Sequence, residues 1–310
     1  MSQELPERKV NDMPQGKFDE LLDKGERLFV KGHLTEALEV FEKAIALDTT
    51  NTDVWIWKGM VLERLGKYKE ALEAIEKIIM LDPTDASAWQ SRGSVLNELG
   101  RDKDALEAFK MATMLAPTDA RTWWWKGWAL HNLGKYEDAL ESYEKALLLD
   151  PKYAGAWGGK GRALLCLERY EEALEAYSQA IELDPKYAVE WLNKGTALYR
   201  LERYEEALEA YSQAIKLDPK YAGAWSAKGL ALSRLGKHEE ALEAYSQAIE
   251  LDPKYANAWE GKGRVLSWLE RYEEALEAYS QAIKLDPDAA DLKENRDRIL
   301  SKLGRPKMES

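Results

Sequence analysis

Apolar and small side chains recur along much of the chain at three- and four-residue spacing, which is the period of one helix face. In residues 154–187, Trp157 and Gly161 belong to one such stripe. A second stripe, over residues 173–181, follows after a short polar link. The Asp-Pro step at 184–185 predicts the end of the second helix, because proline cannot continue a helix. The stretch therefore predicts two amphipathic helices joined as a hairpin.

The same hairpin pattern recurs every 34 residues, since the string EEALEAYSQAI begins at 171, 205, 239 and 273. Tryptophan, glycine, alanine and proline keep fixed places in this period. The tryptophans are Trp55, Trp89, Trp123, Trp157, Trp191, Trp225 and Trp259, and the glycines four residues later are Gly59, Gly93, Gly127, Gly161, Gly195, Gly229 and Gly263. A single hairpin cannot bury its own apolar faces, so the pattern predicts that neighbouring hairpins stack.

This order of residues resembles the tetratricopeptide repeat family, and the resemblance covers residues 18–289 in eight copies. It implies an all-α, right-handed superhelical solenoid of tandem helix-turn-helix hairpins, whose first helices line a concave groove. Residues 290–304 are expected to form a polar C-terminal capping helix. Residues 1–17 and 305–310 are expected to be flexible tails.

Two features depart from the family pattern or refine it. A lysine or arginine precedes each repeat glycine where the family usually has leucine, as at Lys160. We expect the aliphatic stems of these side chains to cover the seam between repeats, while the charged ends reach water or a carboxylate near the Asp-Pro turn. Gly161 is small, we infer, because two helix backbones approach closely there.

Composition narrows the class of protein. The chain has 310 residues, a formal net charge of −12, 12 tryptophans and one cysteine, Cys166. No apolar run approaches the roughly 18 residues of a membrane span, and the start lacks the apolar core of a signal peptide. We therefore expect a cytoplasmic protein without a membrane role, and the acidic balance argues against a nucleic-acid partner.

Charged residues on the expected groove stripe change sign along the chain. Repeats one to three carry Asp19, Glu26, Asp53, Glu63 and Glu98 against Arg64, and repeats four to eight carry Arg121, Arg162, Arg200, Arg234 and Arg264 against Glu260. Arginine offers a planar fork that suits carboxylates, so the later repeats are expected to meet acidic groups of a partner. A solvated face without a ligand is the structural alternative.

Apolar side chains share this stripe, most densely at Trp124 and Trp128, which lie one turn apart. Leu192, Leu230 and Trp268 lie on the same stripe in later repeats. Tryptophan and arginine dominate binding hot spots, so these residues are predicted to anchor a partner. Additional packing of the core is the alternative for the two tryptophans.

Two glycines interrupt the first helix of repeat five. Gly158 and Gly159 each cost roughly 1 kcal/mol relative to alanine inside a helix. They are predicted to open a notch for a ligand beside Trp124, Trp128 and Arg162, so that Gly158→Ala would stabilise the fold and weaken binding. Sequence drift in a tolerant scaffold is the alternative.

The sequence carries no catalytic motif. The glycine-rich stretch around Lys160 resembles a phosphate loop but lacks the Ser or Thr that must follow the lysine. The three histidines, His33, His131 and His238, are far apart, and no metal-ligand spacing appears. No catalytic residue, metal or cofactor is expected.

These observations predict a non-catalytic scaffold that captures a protein or peptide segment in its groove. The segment is expected to be acidic, with an aromatic or apolar anchor. Two alternatives stay open: a structural repeat protein, natural or engineered, that self-associates weakly through its repeat ends, and a regulatory part of a larger enzyme complex. The architecture alone does not decide among them, because it serves many unrelated partners.

Overall fold

The computed structural model describes residues 13–306, with side chains from residue 15, and every regular element in this part of the chain is an α-helix. The first eight helices are α1 Met13–Val30, α2 Leu34–Ile45, α3 Thr52–Arg64, α4 Tyr68–Leu81, α5 Ala86–Glu98, α6 Asp102–Leu115, α7 Ala120–Asn132 and α8 Tyr136–Leu149. They are followed by α9 Ala154–Cys166, α10 Tyr170–Leu183, α11 Ala188–Arg200, α12 Tyr204–Leu217, α13 Ala222–Arg234, α14 His238–Leu251, α15 Ala256–Trp268, α16 Tyr272–Leu285 and α17 Ala290–Lys302.

The helices pack as eight consecutive hairpins followed by α17. They form two compact units, of which the first ends at Asp150 and the second begins at Pro151. The first unit holds repeats one to four, and the second holds repeats five to eight with α17. Within each unit, the second helix of a hairpin packs on the first helix of the next. This all-α repeat architecture confirms the predicted fold class.

The chain ends differ in detail from the sequence prediction. Helix α1 already begins at Met13, so residues 13–17 are helical where a flexible segment was predicted. Residues 1–12 and 307–310 lie outside the described residues. At the other end, α17 covers Ala290–Lys302 within the stretch predicted as a capping helix.

The repeat glycines make room for an aromatic ring of the second helix. A Cβ on Gly161 would lie 2.7 Å from Cε1 of Tyr177, and a Cβ on Gly195 would lie 2.5 Å from Cε1 of Tyr211. Tyr211 is only 2% exposed, so its ring has little freedom to move. The close approach expected at Gly161 is therefore one between a helix backbone and a ring, and not one between two backbones.

The repeat tryptophans are half-buried, and Trp55, Trp191, Trp225 and Trp259 pack against the buried core of their repeats. The Trp225 indole Nε1 donates a hydrogen bond to the Pro219 carbonyl at 3.1 Å, and the equivalent bond recurs in the other repeats from two to eight. Lys228 Nζ lies 5.3 Å from the centroid of the Trp225 ring, which is a cation–π distance. The lysine stacks on the tryptophan of its own repeat, and the tryptophan ties the helix to the preceding Asp-Pro turn.

Candidate functional site

Two adjoining cavities of about 440 and 510 Å³ lie at α11, α13 and α15, which are the first helices of the last three hairpins. Both cavities are lined by Gly223, Ala227 and Tyr255. Gly223 and Ala227 are small, and they leave open space on α13 between the larger side chains of α11 and α15. We call this surface the second-unit face.

One cavity of the second-unit face is lined mainly by apolar and aromatic groups. Its lining includes Leu192 and Thr196 of α11, the rings of Tyr221 and Tyr255, and one carboxylate, that of Asp252. Burial, with the neighbouring Tyr255 and Asp218, raises the pKa of the Tyr221 hydroxyl, so it stays protonated and can donate a hydrogen bond. This cavity can hold an apolar side chain and orient a carbonyl of a bound chain.

The other cavity contains two guanidinium groups supported by tyrosines. Arg234 Nε donates a hydrogen bond to the Tyr199 hydroxyl at 2.9 Å. Arg264 lies 3.7 Å from Oε1 of Glu260. Burial raises the pKa of Tyr245 to about 12. The positive charge of Arg264 and the hydrogen bond between Arg264 and Tyr245 limit this rise in pKa. Because Glu260 offsets one of the two positive charges, the residues that line this cavity carry a formal net charge of +1.

The structure brings four of the predicted site residues together on the second-unit face, namely Leu192, Leu230, Arg234 and Arg264. Other members of the predicted set lie elsewhere in the second unit. Arg200 turns toward the preceding hairpin, where it bonds the Tyr170 hydroxyl, with Glu168 at 3.5 Å. Trp268 ends α15, is 51% exposed, and lies near the ring of His238 with centroids 5.4 Å apart.

In the first unit, Trp124 and Trp128 lie together as the sequence predicts. Their rings stack with centroids 5.9 Å apart, and Trp124 meets the edge of Trp125 at 4.7 Å. Both are half-buried. Arg121 lies next to Gln90, whose amide oxygen, in its favoured orientation, accepts from Arg121 Nε at 3.3 Å and Trp125 Nε1 at 3.1 Å. These contacts hold the indoles in place, and the anchoring role of Trp124 and Trp128 stays a prediction.

The glycines of repeat five lie where α9 packs against α11, a contact that we call the repeat-five seam. Gly158 and Gly159 are buried, and a Cβ on Gly158 would lie 2.6 Å from Oε1 of Glu190 on α11. The space over Gly158 is therefore filled from within the chain, which contradicts the prediction of an empty ligand notch there. A methyl group at this position would have to displace the Glu190 carboxyl, the far end of a flexible side chain, so the predicted stabilisation by Gly158→Ala stays a prediction. The role of Gly159 stays a prediction.

Glu190 is an unusual occupant of this seam. Its Oε2 is shielded from solvent and has no hydrogen-bond partner among the described residues. Burial raises its pKa, and the positive charge of Arg162 opposes that rise. Arg162, which was predicted to face a ligand, thus interacts electrostatically with a carboxyl group of the chain itself. A buried carboxylate with so little compensation is unfavourable for the folded state.

We expect Glu190→Gln to raise the free energy of unfolding at neutral pH. Because the folded pKa of Glu190 is raised, the folded state holds its proton more tightly than the unfolded chain does. The stability supplied by that proton is present below the ordinary value of 4.5 and is lost as the pH rises through the folded pKa. The gain from glutamine should therefore be absent below pH 4.5 and full near pH 7, as measured by urea unfolding across this range.

The matched control is Glu243→Gln, which removes one negative charge from an exposed residue of α14. It should leave stability almost unchanged at neutral pH. If Glu190→Gln destabilises the protein at pH 7, neighbouring groups stabilise the Glu190 carboxylate, and our interpretation that this carboxylate is unfavourable for the folded state is wrong.

Sequence reasoning missed the tyrosines of the second-unit face. Tyr221 and Tyr255 follow a lysine directly before a first helix, and the Lys-Tyr-Ala triplet recurs with the repeat period. Tyr199 is the last residue but one of α11, directly before Arg200. The periodic triplet was a usable signal, but its residues fall outside the helical stripe that defined the expected groove.

Other kinds of site find no support in the described part of the chain. No group of three or more His, Cys, Asp or Glu side chains there could hold a metal ion. Cys166 is exposed at the end of α9. Across residues 13–306, none of the helices has the length and apolar character needed to cross a lipid bilayer.

Two sequence models, both described as tetratricopeptide repeat, match the chain. One matches residues 104–147, 125–188, 192–256 and 226–290, and the other matches residues 28–94. No curated protein sequence gives a significant match.

Solved structures of helical repeat proteins are similar to the whole or to parts of the chain. A chain of the APC/C hetero-tetramer Cut9–Hcn1 has a TM-score of 0.67 at 18% identity, covering 94% of this chain and 57% of its own length. A tetratricopeptide repeat protein from Parabacteroides merdae has a TM-score of 0.66 at 18% identity, covering 81% and 99%. YrrB, described as a TPR protein with an unusual peptide-binding site, has a TM-score of 0.51 at 29% identity, covering 62% and 99%. The first two likenesses concern the fold alone.

Proposed function

We propose that this chain, which belongs to the tetratricopeptide repeat family, is a non-catalytic scaffold that binds an acidic segment of a partner protein on its second-unit face. The fold of this family typically mediates protein interactions. The observation that carries the proposal is the pair of adjoining cavities, one apolar and one containing Arg234 and Arg264. Together they offer an anchor pocket and charge recognition side by side.

The apolar cavity receives the anchor of the segment. Its volume of about 510 Å³ exceeds that of any single side chain, so an aromatic ring and part of its backbone can enter together. Leu192 contacts the apolar part of this anchor, and the hydroxyls of Tyr221 and Tyr255 donate to its backbone. Leu230 lines the neighbouring cavity and continues the apolar surface toward the arginines.

The guanidinium groups receive the acidic part of the segment. Arg234 is held by Tyr199 and Arg264 lies beside Glu260, so both side chains lose little further freedom when they bind. Each can form paired charge-assisted hydrogen bonds with a carboxylate. An anionic side chain or a C-terminal carboxylate next to the anchor would therefore be preferred over a basic one.

Some of the other predicted residues belong to this proposal as secondary contacts. Arg200 and Trp268 lie near the ends of α11 and α15, outside the second-unit face, where they are proposed to meet flanking parts of the segment. In the first unit, the stacked pair Trp124 and Trp128 with Arg121 is proposed as a further aromatic anchor. The likeness to YrrB, a protein described as having a peptide-binding site, supports peptide recognition by this type of scaffold.

The experiment that tests the proposal is a peptide-display selection on the full chain. The selection is counter-screened with a variant in which Leu192 is changed to Glu and Arg234 to Glu, both on the second-unit face. The proposal expects enriched peptides with an aromatic or large aliphatic residue close to Asp or Glu, and these peptides bind the parent only.

Two results would overturn the proposal. Peptides that bind the parent and the variant equally place the site elsewhere. A selection without enrichment, combined with a molecular mass that grows with concentration in light scattering, favours the self-associating structural protein instead.

A further inference from the structure

A small cavity of about 90 Å³ lies in the first unit, between repeats two and three. Ile56 and Met60 of α3 stand at its edge and are 38% and 40% exposed. Ile75 and Ile78 of α4 form its buried floor. We call this cavity the first-unit pocket.

The first-unit pocket exists because one aromatic ring of the repeat is missing. The column that faces the repeat glycine holds Phe or Tyr in the other seven repeats but isoleucine at Ile75. A Cβ on Gly59 would lie 3.8 Å from Cγ1 of Ile75, compared with 2.6 Å between a Cβ on Gly93 and Cε1 of Phe109. The shorter side chain leaves a space that a ring fills elsewhere, and this space opens beside exposed apolar side chains.

Acidic groups surround the opening. Glu63 of α3 and Asp85, the N-cap residue of α5, line the pocket. Burial, followed by the negative charge of Glu98, raises the pKa of Glu63. The nearby cation Arg64 points away, because its guanidinium lies 4.1 Å from the centroid of the Phe29 ring in repeat one. The surroundings of the pocket therefore favour a positively charged ligand.

We propose that the first-unit pocket binds one aliphatic side chain of a basic peptide segment. A space of about 90 Å³ is far below the several hundred Å³ of a small-molecule site, and it suits a single leucine, isoleucine or methionine side chain. Lysine or arginine residues beside that side chain contact Glu63 and Asp85. This site has the opposite charge preference to the second-unit face and does not depend on it.

The test uses the full chain and a labelled nine-residue peptide with a central leucine, two lysines on each side and Gly-Ser ends. Binding is followed by fluorescence anisotropy. Replacing the central leucine by alanine, or the lysines by glutamates, should weaken binding at least tenfold. Binding of the glutamate peptide at parental strength, or no binding of the lysine peptide at millimolar protein, would overturn the proposal.

Ile75→Phe is the decisive variant, because it fills the first-unit pocket with the ring that the other repeats already contain. We expect it to raise Tm by about 2–4 °C and to weaken peptide binding at least tenfold. A loss of binding together with higher stability cannot arise from misfolding. Unchanged binding by a stable Ile75→Phe protein contradicts the proposal.

Two further variants keep the test decisive. Glu63→Lys reverses a charge at the opening and should also weaken binding tenfold, so it replaces Ile75→Phe if that variant folds poorly. Arg234→Glu with Arg264→Glu alters only the second-unit face and should bind the basic peptide within about twofold of the parent. If these arginine changes abolish binding of the basic peptide, the first-unit pocket is not its site.

Discussion

Alanine at two equivalent repeat glycines is expected to change stability in opposite directions. Gly59→Ala should stabilise the protein by about 1 kcal/mol, because alanine favours the helix and its Cβ meets Ile75 only at 3.8 Å. Gly195→Ala gains the same propensity, but its Cβ would lie 2.5 Å from Cε1 of Tyr211. Overpacking of this kind costs about 1–3 kcal/mol, and the Tyr211 ring, which is 2% exposed, cannot move aside.

The measurement is urea unfolding of the full chain and the two variants, followed by circular dichroism. The two substitutions are chemically identical, so their difference reports only the ring opposite each glycine. A double variant with Gly59→Ala and Ile75→Phe serves as the control, since adding Gly59→Ala to Ile75→Phe should lower stability where it raises stability in the parent. Equal stabilisation by both single variants would show that the ring is not what excludes a larger residue.

Charge reversal at Arg234 and Arg264 is expected to weaken binding of a selected acidic peptide by about 100-fold or more. Each guanidinium supplies a charge-assisted hydrogen bond worth about 1.5–3 kcal/mol, and about 1.4 kcal/mol corresponds to tenfold in affinity. The glutamates also repel the acidic peptide. The dissociation constants are measured by fluorescence anisotropy at two salt concentrations, and the parent should show the stronger salt dependence.

The matched control is the pair Arg203→Glu and Arg271→Glu, which changes the net charge of the protein by the same amount. These arginines precede α12 and α16 and bond Glu206 and Glu274, outside the cavities. They should change affinity by no more than a few-fold. If both pairs weaken binding equally, the effect comes from net charge and not from the second-unit face.

Sequence periodicity predicted most of the fold. The spacing of Trp157 and Gly161 follows from helix geometry, and the Asp-Pro step removes a backbone donor, so the helices and their ends are encoded locally. Helix α10 accordingly ends at Leu183, directly before Asp184. Residues 13–17 were assigned to a tail because they precede the first recognisable repeat position, although α1 already begins at Met13.

The candidate site was harder to predict because it depends on contacts between repeats. Gly158 was interpreted as empty space, yet Glu190, 32 residues later, fills that space. The signal was a pair of exceptions in the two columns that flank the repeat tryptophan. Glu190 stands where most repeats have alanine, valine or threonine, and Gly158 stands where the other complete repeats have larger side chains.

The first-unit pocket was also missed because it is visible only when different repeats are compared. Ile75 is an ordinary buried aliphatic residue when its own helix is considered, and only the comparison with Phe41 or Phe109 shows that a ring is missing. Helical periodicity reports which face is buried but not how completely it is filled.

The most direct test of the central claim, that the second-unit face binds an acidic segment, is photo-crosslinking of a selected peptide to the full chain. The aromatic anchor of the peptide is replaced by benzoylphenylalanine, and the crosslinked residues are identified by mass spectrometry. We predict crosslinks on α11, α13 or α15, within reach of Leu192, Ala227 and Tyr255. Crosslinks confined to the second helices α12, α14 and α16, or to the first unit, would contradict the claim.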